Sequence, residues 1–309
     1  MYSSRPDAPD SIPRPQEPYE NSDSMSYDLY LNFKPGVRMK DIHSFLAARA
    51  HYKANGSRFM YENELTGVYF MLNPSEKKKG FLRSSEIKAH IEINYCRPSF
   101  FGLEAEIEIA ELLKRFPCQI YDPQMNGMGD GPYSGEGFLR GWNGGNEFGM
   151  AAVLSQSDAP IWCLPTSQLH KAWQWNYSQP QRQTKYGNKQ FVPQILYMLI
   201  ADRVRTIAVW GDALPAVLPE VDFVLLARQE GANSVFGLAS WENVAKLLTA
   251  NGYQNGPDGF DLNYAIPPKP IADFAHGFAP VDRSELMKLS PDRILDQELV
   301  QRQLAARQN

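Results

Sequence analysis

The stretch IKAHIEINYCRPSFFGLEAEIEIAELLKRFPCQIYDPQ, residues Ile87 to Gln124, decides how this chain is read. Ile87, Ala89, Ile91, Ile93 and Tyr95 alternate with Lys88, His90, Glu92, Asn94 and Cys96, the period of a half-buried strand. Arg97-Pro98 stops that strand. Phe100 to Phe116 carries a helical period, Pro117 ends it, and Gln119 to Asp122 begins another strand before Pro123.

Upstream, Tyr27 to Phe33 alternates as a strand, Pro35-Gly36 turns the chain, and Ile42, Phe45, Leu46 and Arg49 fall at helical spacing. Phe59 to Asn63 and Gly67 to Asn73 read as short strands, and Lys77-Lys78-Lys79 as a solvated turn. The predicted order over residues 27–125 is β-α-β-β-β-α-β. Downstream, the glycines between Gly127 and Gly149 mark residues 126–158 as a linker, with Phe138, Leu139 and Trp142 packing as a short element near its end.

Residues 159–269 read as a second module. It has a strand at Pro160 to Leu164, a helix to about Tyr177, a polar loop from Pro180 to Lys189, and a hairpin across Asp202-Arg203. A strand at Val221 to Leu226 precedes a helix from Trp241 to Ala250, with Ser240 as its N-cap and Gly252 as its stop. Phe260 to Tyr264 is the last strand. The two modules share an order of elements but no residue identity. The predicted fold class is α+β: two similar modules, each an antiparallel or mixed sheet with helices on one face. Residues 1–26, rich in Pro, Ser and acidic residues, read as a disordered tail, and residues 270–309 as a helical arm broken at Ser290-Pro291.

Composition narrows the function. A chain of 309 residues, 43% hydrophobic, can build a sizeable core. With 31 basic and 35 acidic residues its net charge is -4, which argues against direct nucleic-acid binding and suits a basic partner. Cys96, Cys118 and Cys163 are widely spaced and read as buried thiols in a reducing compartment. No apolar run reaches membrane-spanning length and no secretory signal is visible, so a cytoplasmic protein is expected.

Geometry limits what the chemistry-bearing residues can do. The glycine run lacks the G-x-G-x-x-G spacing of a dinucleotide loop. No two histidines lie four residues apart and no C-x-x-C occurs, so neither a metal nor a cofactor is expected. His90, Glu92, Asn94 and Cys96 share a strand face, yet six residues at ~3.3 Å each separate His90 from Cys96 by about 20 Å, too far for a thiol and its base. On the helix, Glu104, Glu108 and Glu111 form one stripe, expected to face outward and offer an anionic surface to a partner. Glu106 falls in the apolar arc, with Arg97 as its expected structural ion-pair partner. Trp173 and Trp175 point about 200° apart on a helix, which leaves Trp175 to face a partner.

Several segments resemble an uncharacterised group of bacterial proteins encoded beside contact-dependent or type VI-secreted toxins. They are Tyr27 to Leu31, Thr66 to Phe70, Asn94 to Pro98 with Phe101 to Ala105, Asp122 to Gln124, and Val209 to Asp212 with Leu218 to Asp222. The resemblance implies a cytoplasmic immunity protein, not an enzyme. Such a protein binds and neutralises a cognate toxin, a nuclease among the candidates, by occluding its active site or distorting its fold. It carries over no functional residues. An enzyme (hydrolase or transferase) with a dispersed carboxylate site and a homo-oligomeric adaptor stay open as alternatives, and the oligomeric state is not fixed by the sequence.

Overall fold

The computed structural model describes residues 25–77, 85–124, 126–156, 160–230, 233–282, 284 and 286–306. The first half runs β1 (Ser26–Phe33), α1 (Met39–Ala47), β2 (Tyr52–Asn55), β3 (Arg58–Asn63), β4 (Val68–Lys77), β5 (Glu86–Asn94), α2 (Phe100–Arg115), β6 (Cys118–Asp122), β7 (Gly129–Gly131) and α3 (Gly135–Gln156). Its strands form one antiparallel sheet in the order β2-β3-β4-β5-β1-β6-β7. Inward side chains alternate along every long strand: Tyr27, Leu29 and Leu31 on β1, Ile87, Ala89, Ile91 and Ile93 on β5, and Phe70 and Leu72 on β4 are all buried. The strand–helix–strand reading of Ile87 to Gln124 holds. The tail expected over residues 1–26 lies almost wholly outside the described residues, as do Lys78 and Lys79 of the basic turn.

The second half runs β8 (Trp162–Leu164), α4 (Thr166–Tyr186), β9 (Ile195–Ile200), β10 (Arg203–Gly211), β11 (Ala216–Leu218), β12 (Phe223–Glu230), β13 (Asn233–Ser240), α5 (Trp241–Ala250), β14 (Asn255–Gly256), β15 (Gly259–Leu262), α6 (Lys269–His276), β16 (Met287–Leu289), β17 (Ile294–Asp296) and α7 (Gln297–Ala306). Its main sheet is mixed, in the order β13-β12-β10-β9-β16, with β10 and β12 parallel. The hairpin falls as expected: Ala201 and Asp202, both at positive φ, turn the chain between β9 and β10. Ser240 caps α5 by accepting from the Asn243 N–H. The fold is α+β.

The two halves do not repeat one topology. β8, expected to open the second sheet, instead pairs with β17 as a separate parallel ribbon. The C-terminal arm is not only helical: β16 extends the second sheet, and β17 reaches back to β8. α4 continues through Pro180 to Tyr186, where a polar loop was expected, with Gly187 at φ +64° ending it. Buried residues of both halves, from Tyr27 to Ile294, form one continuous cluster.

Residues 126–156 correct the linker expectation, because they hold β7 and a 22-residue helix. Gly137, Gly141, Gly145 and Gly149 recur every four residues and so share one helical face. A Cβ at Gly145 would overlap the Tyr95 ring, and one at Gly149 would lie 3.3 Å from Met25 and 3.4 Å from Cys96. The same close approach joins α2 to α3, where a Cβ at Gly102 would sit 2.7 Å from the Trp142 ring. These glycines let helices lie directly on aromatic side chains, a packing role that outweighs their poor helix propensity.

Candidate functional site

The carboxylates of α2 lie opposite to where the helical wheel put them. Glu104 is 0% exposed and Glu108 is also buried; of the expected outward stripe, only Glu111 faces solvent. The reason is a polar inner face. Glu104 Oε1 accepts from Tyr61 Oη at 2.8 Å, Asn63 Nδ2 at 2.8 Å and Thr66 Oγ1 at 3.0 Å, and its Oε2 accepts from Trp173 Nε1 at 2.7 Å. Burial raises the Glu104 pKa, with these four donors opposing it. Glu108 is held by the Arg49 guanidinium at 2.8 Å. Both are joints of the fold, not a surface for a partner.

The remaining expected site residues are also structural. Trp175 is buried, its Nε1 donates to the Pro193 carbonyl at 2.7 Å, and the Arg182 guanidinium covers its ring. The buried arc of α4 is wide enough to take in both Trp173 and Trp175. Arg97 does not pair with Glu106. Its guanidinium donates to Tyr69 Oη at 2.6 Å and to the Cys96 carbonyl at 3.1 Å, whereas Glu106 accepts from Tyr133 Oη at 3.2 Å. Cys96, Cys118 and Cys163 are half-buried rather than fully buried. Burial pushes the thiol of Cys96 up and that of Cys118 to about 11, which leaves both poor nucleophiles.

One serine meets a histidine and an aspartate. Ser99 Oγ lies 2.8 Å from His170 Nε2 and donates to Asp296 Oδ1 at 2.6 Å, while the Ser99 N–H donates to Asp296 Oδ2 at 2.7 Å. A hydrolytic triad needs the acid on the histidine and the base on the serine proton. Here the buried Asp296 takes that proton itself, so His170 can only donate to Oγ. The arrangement latches β17 onto the start of α2. A cavity of about 300 Å³ opens beside α4, lined by Gln168, Lys171, Thr206, Glu220 and Asp222. Its polar groups are already spent on one another: Asp222 Oδ2 accepts from Gln168 and Thr206, and Lys171 pairs with Glu220.

The outer face of the first sheet is different. Strand register places Tyr121, Tyr30, His90 and Asn73 side by side across β6, β1, β5 and β4. The next row is Asp28, Glu92, Met71 and Met60 across β1, β5, β4 and β3. Tyr30, Tyr121 and Met60 are 39%, 43% and 36% exposed. At ~4.8 Å per strand the rows span about 20 Å. At their centre Asp28 Oδ1 lies 2.7 Å from His90 Nε2, and Glu92 Oε1 lies 2.9 Å from His90 Nδ1. The Tyr30 ring stacks on His90 with centroids 4.5 Å apart.

No family model matches this chain, nor does any curated protein or solved structure. The candidate surface is therefore read from the residues themselves. The sequence placed His90 and Glu92 on one face, but Asp28 comes from 62 residues earlier and meets them only through the β1–β5 register. An alternating strand whose outward positions read Asp28, Tyr30 and Asn32 was the available signal. Further side-chain joints hold the first sheet to its loops and α2: Tyr27 donates to Asp122, Thr66 to Glu104, and Tyr95 to Gln124 at 3.1 Å.

Among the described residues, no helix is long and apolar enough to cross a membrane.

Proposed function

We propose that this chain is a cytoplasmic immunity protein that binds and neutralises a cognate secreted toxin, and that the outer face of its seven-stranded sheet is the binding surface. The resemblance to proteins encoded beside such toxins supports the class. The observation that carries the surface is the pair of cross-strand rows, with Tyr30, Tyr121 and Met60 open to solvent beside two carboxylates. Tyrosine and methionine are enriched at interfaces, and tyrosine buries a large area at low entropic cost. Charge selects the partner. Lys53 and Lys88 of this face are paired with Glu62 and Glu86, whereas Asp28 and Glu92 share the single histidine. That suits a toxin presenting arginine or lysine, as a nuclease does where it grips phosphate. Binding there would occlude the toxin's cationic surface and needs no cofactor.

Co-expression with the toxin of the adjacent reading frame tests this. The wild-type chain should restore growth, and the Tyr30→Arg/Tyr121→Arg variant, folded by circular dichroism, should not, because it removes both rings and sets cations against a cationic partner. Failure of the wild-type chain to protect would remove the immunity reading. Protection by the variant would remove the face.

A further inference from the structure

At the centre of the outer face two carboxylates flank one imidazole. Asp28 and Glu92 are direct cross-strand partners, and like charges so placed repel. Both ring nitrogens of His90 lie within hydrogen-bond distance of a carboxylate oxygen. A neutral imidazole carries one N–H, so its second nitrogen would turn a lone pair toward a carboxylate lone pair. A cation resolves the conflict: a second proton on the ring, or a metal ion in place of one proton.

We propose that Asp28, His90 and Glu92 form a binding site for a divalent first-row metal ion of the zinc or manganese kind. One donor atom from each residue lies within 4.8 Å of the other two. One imidazole nitrogen with carboxylate oxygens is the donor set that such ions share, and no thiolate is present to select a softer ion. If one ring nitrogen binds the ion, the carboxylate on the other nitrogen fixes the ring, the usual support for a ligating histidine. The stacked Tyr30 ring holds the same orientation from the side. Asn73, the β4 partner of His90, adds a separate observation. Its Nδ2 donates to Glu92 Oε1 at 3.2 Å, and its Oδ1 is buried with no hydrogen-bond partner. An orphaned buried carbonyl oxygen is destabilising, and a bound hydrated metal ion would supply the missing donor. All three residues are half-buried, which leaves room for water in the open positions. The ligands sit on paired strands, so the site is formed before the metal arrives. A cationic side chain of a partner would compete for the same oxygens, but the metal inference does not depend on the immunity reading, because it is read on the protein alone.

The test is calorimetric titration of the full chain, freed of metal by chelator, with Zn(II) and with Mn(II) at neutral pH. One saturable site is expected, weakened at least tenfold in both His90→Ala and Asp28→Asn and unchanged in Asp130→Asn on the edge strand β7. Co(II) absorption separates this site from adventitious cysteine binding, because nitrogen and oxygen ligands give no thiolate charge-transfer band. Circular dichroism checks that each variant folds. No saturable binding, binding that survives both ligand variants, or a thiolate band would each overturn the proposal.

Discussion

Replacing Glu104 by glutamine tests the energetics of the joint that ties the two halves together. The carboxylate takes three donors on Oε1 and Trp173 on Oε2, and among the described residues no cation pairs with it. Glutamine keeps the shape. Its carbonyl best replaces Oε1, which leaves its NH2 facing the Trp173 N–H. One buried donor then loses its acceptor, a cost of about 1–3 kcal/mol. The pH dependence carries the sharper prediction. Burial raises the folded-state pKa of Glu104 above its ordinary value of 4.5. Between the ordinary and the raised value the folded state holds more protons than the unfolded one, so stability falls as pH rises. The contribution of Glu104 is therefore fully present below 4.5 and is lost as pH rises through its folded value. Glutamine has no such titration. The wild-type advantage should be largest near pH 4.5 and narrow by about 1.4 kcal/mol per unit of raised pKa as pH rises. Urea unfolding followed by circular dichroism at a series of pH values measures this, with the m-value as a check that the unfolded state is unchanged. An advantage that widens with pH would refute the reasoning, since the four donors would then outweigh burial.

Two further outcomes follow from the same packing. Gly145→Ala should destabilise the protein by about 1–3 kcal/mol in urea, because overpacking against the Tyr95 ring exceeds the ~1 kcal/mol that alanine gains in helix propensity. Asp258 is held below the ordinary carboxylate range by Lys185 first and then Arg182, opposed by partial desolvation. Its contribution is present above the unfolded value of 3.8 and is lost as pH falls through the lower folded value, so Asp258→Asn should flatten the acid limb of thermal unfolding.

The strand periods were legible because each outward residue alternates with an apolar one, as on β1 and β5. The second half was legible where capping chemistry is local, as at Ser240 and the Asp202 turn. α3 was hidden because glycine signals freedom in a chain read alone, and signals close approach only when Tyr95 and Trp142 are already in place. The α2 wheel failed for a related reason. Glu104 is ionisable, and its burial depends on Tyr61, Asn63 and Thr66 of one segment and Trp173 of another, which converge on it in space. Trp175 was misplaced because the solvent face of α4 runs through Ser167, Lys171, Gln174, Gln181 and Lys185, and the buried arc is wide enough to take in both Trp173 and Trp175. The central cluster of the outer face needed the β1–β5 register, which brings Asp28 to His90 and which no spacing in the sequence encodes.

Under the proposed function, a partner toxin is met by the sheet face and not by α2. The direct measurement is a binding titration of a purified candidate toxin, one that the wild-type chain neutralises on co-expression, against three forms of this protein: wild type, Tyr30→Arg and Glu111→Gln. Tyr30→Arg should weaken binding at least a hundredfold, since it places a cation at the centre of a surface proposed to meet cationic side chains, and Glu111→Gln should bind as wild type does. Loss of binding in Glu111→Gln with full affinity in Tyr30→Arg would contradict the assignment of the face.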